Sequence, residues 1–165
     1  MRRLLPVSLL VAACSTSVSA PSTATIVTTT TLEVSTARWG DLRPDTAVEV
    51  VELDGRTLTV AVAATPEDRR QGLRGVTDLG ELDGMLFRWD TDVVTSAFTM
   101  SGTSIPLDIA FFAADGSFVD GFRMDPCDAD PCPTYAARAP YAHALESPAS
   151  SLPPPGRDSI LVVGP

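Results

Sequence analysis

The chain has no lysine. All twelve basic residues are arginine, histidine occurs once at His143, and there are three cysteines in 165 residues. Without lysine a Ser-Lys dyad is excluded. A Ser-His pair would have to use His143, yet no Gly-x-Ser-x-Gly elbow supplies its nucleophile. A cysteine nucleophile would need an unpaired Cys127 or Cys132. Neither a P-loop nor a Gly-x-Gly-x-x-Gly turn is present, so the common phosphate-binding signatures are missing. Positive charge is also scarce. Twelve arginines against 21 acidic residues leave a net charge of −9. Such a surface repels nucleic acid and anionic lipid headgroups, so DNA and RNA are not expected partners. Long apolar runs are lacking too: the run at residues 4–10 falls far short of the roughly 20 residues that cross a bilayer. No internal repeat is found.

What the N-terminus does contain is an ordered set of signals. Met1 is followed by Arg2, Arg3, the short apolar run and then Val11-Ala12-Ala13-Cys14. A basic segment, an apolar segment and small residues ending in cysteine read as a bacterial lipoprotein signal. Residues 1–13 are then the signal peptide, and Cys14 is the lipidated first residue of the mature protein. The expected location is extracytoplasmic, with the protein anchored to the cell membrane through lipid on Cys14. An ordinary secretory signal cut after Val18-Ser19-Ala20 is the alternative, but it leaves Pro21 awkwardly just past the cut. Each buried methylene contributes about 0.8 kcal/mol, so one acyl chain holds weakly and several on one cysteine hold well. Loss of Arg2 and Arg3 leaves ten arginines against 21 acids, a mature net charge of −11.

Residues 14–45 read as a tether and a lead-in. The stretch 15–36 is Ser/Thr-rich, with four threonines at 28–31, and it offers few large apolar groups to offset chain entropy. Fully extended, it reaches roughly 75 Å. With Cys14 taken by lipid, Cys127 and Cys132 remain, and an even remainder in an oxidising compartment favours a disulfide.

One globular domain is expected over residues 46–165. Residues 47–51 and 57–63 are strand-like, and Asp54-Gly55 between them is a hairpin signal. In the second strand Leu58, Val60 and Val62 share one face. Thr65 can cap a helix, Pro66 suits its first position and Asp68 can complete a capping box. That helix should run to about Leu73, with Gly72 inside it marking close backbone packing. Further strands are expected near 85–87, 95–100, 107–113, 117–123, 141–146 and 159–163, with a second hairpin turn at Asp115-Gly116. Residues 125–140 should form an irregular loop. In 141–146, His143 should share a face with Tyr141 and Leu145. The fold class is mainly β (α+β): a compact single domain of short antiparallel strands, barrel-like, with one short helix near residues 66–73.

Several strings then match together and in order: 68–75 (Asp-Arg-Arg-Gln-Gly-Leu-Arg-Gly), Gly84-Met85-Leu86-Phe87, Phe98-Thr99-Met100 and Ile105-Pro106-Leu107-Asp108-Ile109. Asp115-Gly116, Pro126-Cys127, Asp130-Pro131-Cys132-Pro133, Tyr135 and Leu145-Glu146 follow. The set resembles the domain of unknown function 192, an uncharacterised prokaryotic family often found behind export signals. The resemblance covers about residues 48–163. It implies a small, mostly β fold and brings no reaction, cofactor or catalytic residue with it. The family usually continues from the position of Phe98 with Trp, Met, Lys, Asn and Thr. This chain has Thr99, Met100, Ser101, Gly102 and Thr103 there.

Candidate site residues are few. Asp108 lies in an apolar strand, where a carboxylate has to be paired, hydrogen-bonded or shifted in pKa. As a site acid it would act with Glu146; as a structural acid it would accept backbone N–H groups or pair with Arg74. Ligand-binding candidates are Arg74, Met100 and Thr103. Asp125, Asp128 and Asp130 crowd the cysteine loop and could offer oxygen ligands to calcium, although their spacing is not that of an EF-hand. Cys127, Cys132 and His143 could offer a zinc set, in competition with the disulfide. No cofactor is expected. The lipoprotein-type signal, the tether and the lack of an assembled catalytic set favour a binding or accessory module of the cell envelope, with an envelope protein or a small molecule as partner. The alternative is a small extracytoplasmic hydrolase using Asp108 and Glu146 as an acid/base pair.

Overall fold

The structure is a computed structural model that describes residues 41–91 and 94–164. The signal-like segment, Cys14 and the Ser/Thr-rich run lie outside the described residues. The domain opens with β1 (Ala47–Leu53) and β2 (Arg56–Ala63), joined at Asp54-Gly55. Both turn residues have positive φ, 52° and 76°, as a type I′ turn demands and as Asp-Gly tolerates. Helix α1 (Pro66–Gln71) follows. The Thr65 hydroxyl accepts the Asp68 N–H and donates to the Asp68 carboxylate, a variant of the expected capping box. The helix stops two residues earlier than the sequence suggests. Gly72 is its C-cap at φ 48°, and a Cβ there would press on the Phe87 ring at 3.3 Å.

The remaining strands are β3 (Gly84–Arg88), β4 (Phe98–Thr99), β5 (Leu107–Phe112), β6 (Phe118–Met124), β7 (Thr134–Tyr135), β8 (His143–Pro148) and β9 (Leu161–Val162). Seven of the nine strands form one sheet in the order β6-β5-β8-β3-β2-β1-β9, while β4 and β7 pair separately. Neighbours in the large sheet are antiparallel except β2 and β3, which are parallel. A parallel pair needs a crossover of a dozen or more residues; residues 64–83, which include α1, supply it. This crossover is what lays the helix and its following turn across one face of the sheet.

The sheet curls until its two edges meet at one point. Ser117 bridges to Ile160, the Leu161 N–H donates to the Gly116 carbonyl at 2.9 Å, and the Phe118 N–H donates to the Ser159 carbonyl at 3.2 Å. Gly116 permits this approach, since a Cβ there would lie 2.1 Å from the Leu161 oxygen. Asp54 holds the same edge from the other side, its carboxylate accepting the Ser159 hydroxyl and the Ile160 N–H.

Curling produces two cores. Leu58, Val60, Leu86, Ala110, Phe112 and Leu145 fill the concave side. Ala61, Ala63, Met85, Phe87, Ile109, Phe111 and Ala144 face the other way and are covered by the α1 crossover and the loops around Met100 and Tyr141. The central strands are therefore apolar on both faces, and the two-residue alternation clear in early β2 disappears in β3 and β5.

Candidate functional site

Alternation along β8 sends Ala144 and Glu146 to the face under α1, and Leu145 and Ser147 to the concave side. Glu146 is flanked in register by Met85 of β3 and Ile109 of β5. Gly84 begins β3 directly against it: a Cβ at Gly84 would sit 2.1 Å from the Glu146 carbonyl oxygen. The Asp83-Gly84 pair is thus a strand entry that permits close approach, with the Asp83 carboxylate accepting the Thr59 N–H at 2.8 Å.

Above Glu146 lies a cavity of about 490 Å³, within the range of small-molecule sites. Glu146 is 6% exposed and lines it. Among the described residues no hydrogen bond or ion pair reaches its carboxyl, and burial pushes its pKa up to about 8. At neutral pH the group is mostly protonated, able to donate one hydrogen bond and to accept others.

One wall is aromatic. Phe87 and Phe98 meet edge to face at 4.9 Å, and Trp89 packs edge-on against Phe98 and Tyr141 at 6.4 and 5.3 Å. Burial pushes the Tyr141 hydroxyl up to about 12; it donates to the Ser96 carbonyl at 2.7 Å and so fixes the loop entering β4. The facing wall is α1 and the turn after it, which bring Arg69, Arg70 and Arg74 to the cavity. Arg69 is used structurally: it donates to the carbonyls of Ala64 and Arg88 and lies over the Trp89 ring at 5.1 Å. Arg74 passes over Gly102, and the Gly75 N–H donates to the Gly102 carbonyl, which ties this turn to the loop that presents Thr103. Thr99 and Thr103 also line the cavity.

Of the residues singled out from sequence, Arg74, Thr103 and Glu146 share this cavity. Met100 does not line it; its side chain is fully buried in the core beneath. Asp108 lies on the opposite face. It pairs with Arg123 at 2.5 Å, where Arg74 was the expected partner, and accepts the Ser150 N–H at 2.7 Å. Burial alone would raise its pKa, but the Arg123 hydrogen bond and the Ser150 N–H together hold it below the usual carboxylate value. Asp108 and Arg123 line a second cavity of about 470 Å³, bounded by Phe118, Leu152 and Pro153. Asp108 and Glu146 thus open into different cavities, and the acid/base pair is not assembled.

Cys127 and Cys132 form a disulfide with their Cα atoms 5.9 Å apart, which removes both thiols from any zinc set. Among the described residues, Asp125, Asp128 and Asp130 included, no group of three or more His, Cys, Asp and Glu side chains converges on a point. His143 shares the concave side with Leu145, but Tyr141 belongs to the other core, because regular β8 begins only at His143. The His143 Nδ1 is buried without a partner, and burial together with Arg88 lowers the ring's pKa. The residues that sequence reasoning missed are Arg69, Arg70, Trp89 and Phe98. The arginine pair in a short capped helix was the available signal, but only the crossover brings it to the cavity that Glu146 lines.

A curled seven-stranded sheet, with a crossover helix beside a cavity that has a carboxyl in its floor, defines a small β domain that carries a partly open site. The chain belongs to the family described as uncharacterized ACR, DUF192, whose model matches residues 49–153. Two solved structures are similar. A candidate transcription regulator from Sinorhizobium meliloti 1021 is 30% identical with a TM-score of 0.58, covering 70% of this chain and 93% of that one. A protein of unknown function from Novosphingobium aromaticivorans is 23% identical with a TM-score of 0.57, covering 69% and 84%, and shares the fold. No curated protein matches.

Proposed function

We propose that this chain is a lipid-anchored extracytoplasmic binding module that holds a small molecule in the Glu146 cavity. One observation carries the binding part: a carboxyl more than nine-tenths buried lines a roomy cavity with no protein partner. A buried polar group without a partner is costly, and a ligand that hydrogen-bonds it offsets that cost. The location rests on the lipoprotein-type order ending in Cys14, and the Cys127–Cys132 disulfide supports an oxidising compartment. The regulator description of the Sinorhizobium protein is not carried over, because a net charge of −9 opposes contact with DNA phosphates. The hydrolase alternative needs Asp108 and Glu146 in one pocket, and they occupy two.

The test uses the full chain solubilised from native membranes. Native mass spectrometry should find a bound small molecule, and a broad metabolite panel should raise its melting temperature. Ala97 is exposed and lines the cavity, so Ala97→Trp should obstruct it and weaken or abolish both signals without disturbing the core. Repeated isolation with nothing bound, together with no thermal shift across the panel, would overturn the binding function.

A further inference from the structure

The lining of the Glu146 cavity departs from the composition of the chain. Acidic residues outnumber arginines 21 to 12 overall, whereas the cavity is lined by three arginines and a single acid. Arg69 is committed to two carbonyls and to Trp89. Arg70 and Arg74 are exposed, and among the described residues neither has an acidic partner. Both stand on one rim, formed by α1 and the turn tied to Gly102. Guanidinium groups at a cavity mouth concentrate anions locally, and their planar forks match carboxylate and phosphate oxygens.

The buried floor of the cavity has a complementary character. Glu146 lies deep, and burial favours its neutral form, so it offers a hydrogen-bond donor where an ionised carboxylate would repel an anion. The charged groups that line the space with it are Arg69, Arg70 and Arg74, while β3, β4 and the Thr103 loop contribute only uncharged side chains. Thr99 and Thr103 add hydroxyls to the same lining.

We propose that the cavity takes a small hydroxylated anion, a phosphate monoester or a carboxylate, whose charged group sits at Arg70 and Arg74 and whose hydroxyl end reaches Glu146. This inference rests on the cavity being a binding site.

Isothermal titration of the full solubilised chain tests it with glycerol 3-phosphate and gluconate, and with glycerol and glucose as their neutral counterparts. At least one anion should bind, and which of the two does so separates phosphate from carboxylate. The neutral counterpart should bind at least tenfold more weakly, and rising salt should weaken the anion. Arg70→Ala/Arg74→Ala should lose tenfold or more in anion affinity with only a small change in melting temperature, since neither side chain makes an ion pair among the described residues. Unchanged anion affinity in that double variant would overturn the proposal. So would a neutral probe or neutral metabolite that binds as well as the anions; if Ala97→Trp blocks it, the binding function stands and the anion class falls. Should neither anion nor any metabolite bind, both fall together.

Discussion

Replacing Glu146 by glutamine should change how stability depends on pH, by an amount that can be worked out. Glutamine copies the size and neutrality of the protonated acid but cannot ionise. In the folded chain burial holds the carboxyl near 8 against an ordinary 4.5, so the fold keeps this proton where the unfolded chain has released it. The resulting stabilisation is fully present below about pH 4.5, falls as pH rises, and is lost once pH passes about 8. At roughly 1.4 kcal/mol per tenfold change in proton affinity, the whole interval corresponds to about 5 kcal/mol. Between about pH 5 and about pH 9, wild type should therefore lose about 4 kcal/mol more than Glu146→Gln. Urea unfolding at the two pH values measures this as a difference of differences. His143 titrates in both proteins and cancels, and the lowered carboxyls such as Asp108 titrate below the window. Parallel losses in the two proteins would show that Glu146 is already ionised in the fold, which would refute the assignment of a neutral donor to the cavity.

Four further outcomes follow from particular contacts. Gly116→Ala places a Cβ 2.1 Å from the Leu161 carbonyl at a φ of +82°; it should cost roughly 2–4 kcal/mol in urea unfolding and release β9 to faster hydrogen exchange. Cys127→Ser/Cys132→Ser should lower stability by about 2 kcal/mol, as expected for a short loop, and non-reducing peptide mapping of wild type should recover the two cysteines linked. Asp108→Asn weakens a half-exposed ion pair and a backbone hydrogen bond; it should cost about 1–2 kcal/mol in unfolding and leave ligand affinity at the Glu146 cavity unchanged. Cys14→Ser should move the protein from the membrane to the soluble fraction on fractionation, and unchanged membrane retention would sink the lipid anchor.

Local chemistry made much of the fold legible. The Asp54-Gly55 and Asp115-Gly116 turns, the Thr65 cap and the alternation of Leu58 and Val60 each depend on residues close in sequence, and each stands where expected. Where both sheet faces are covered the signal fades. Strand β4 is two residues of an expected six, because residues 94–100 spend their hydrogen bonds on Tyr141 and Tyr135 rather than on a long ladder. The parallel pairing of β2 with β3 was not legible either, since a crossover and a meander use the same short strands.

The candidate site divides in the same way. From sequence alone come the chemical means: a lysine-free acidic chain, one capped helix carrying Arg69 and Arg70, two cysteines close enough to join, and carboxylates inside apolar strands. Their meaning was decided by the tertiary structure. Asp108 and Glu146 look alike in sequence, each embedded in an apolar strand. Strand parity sends them to opposite faces of the sheet. Asp108 meets Arg123 and Ser150 there and becomes a paired structural acid, whereas Glu146 meets only Met85, Ile109 and an open cavity. The physical reason is that parity fixes which side of a strand a residue takes, but only the curl of the sheet and the α1 crossover determine what waits on that side.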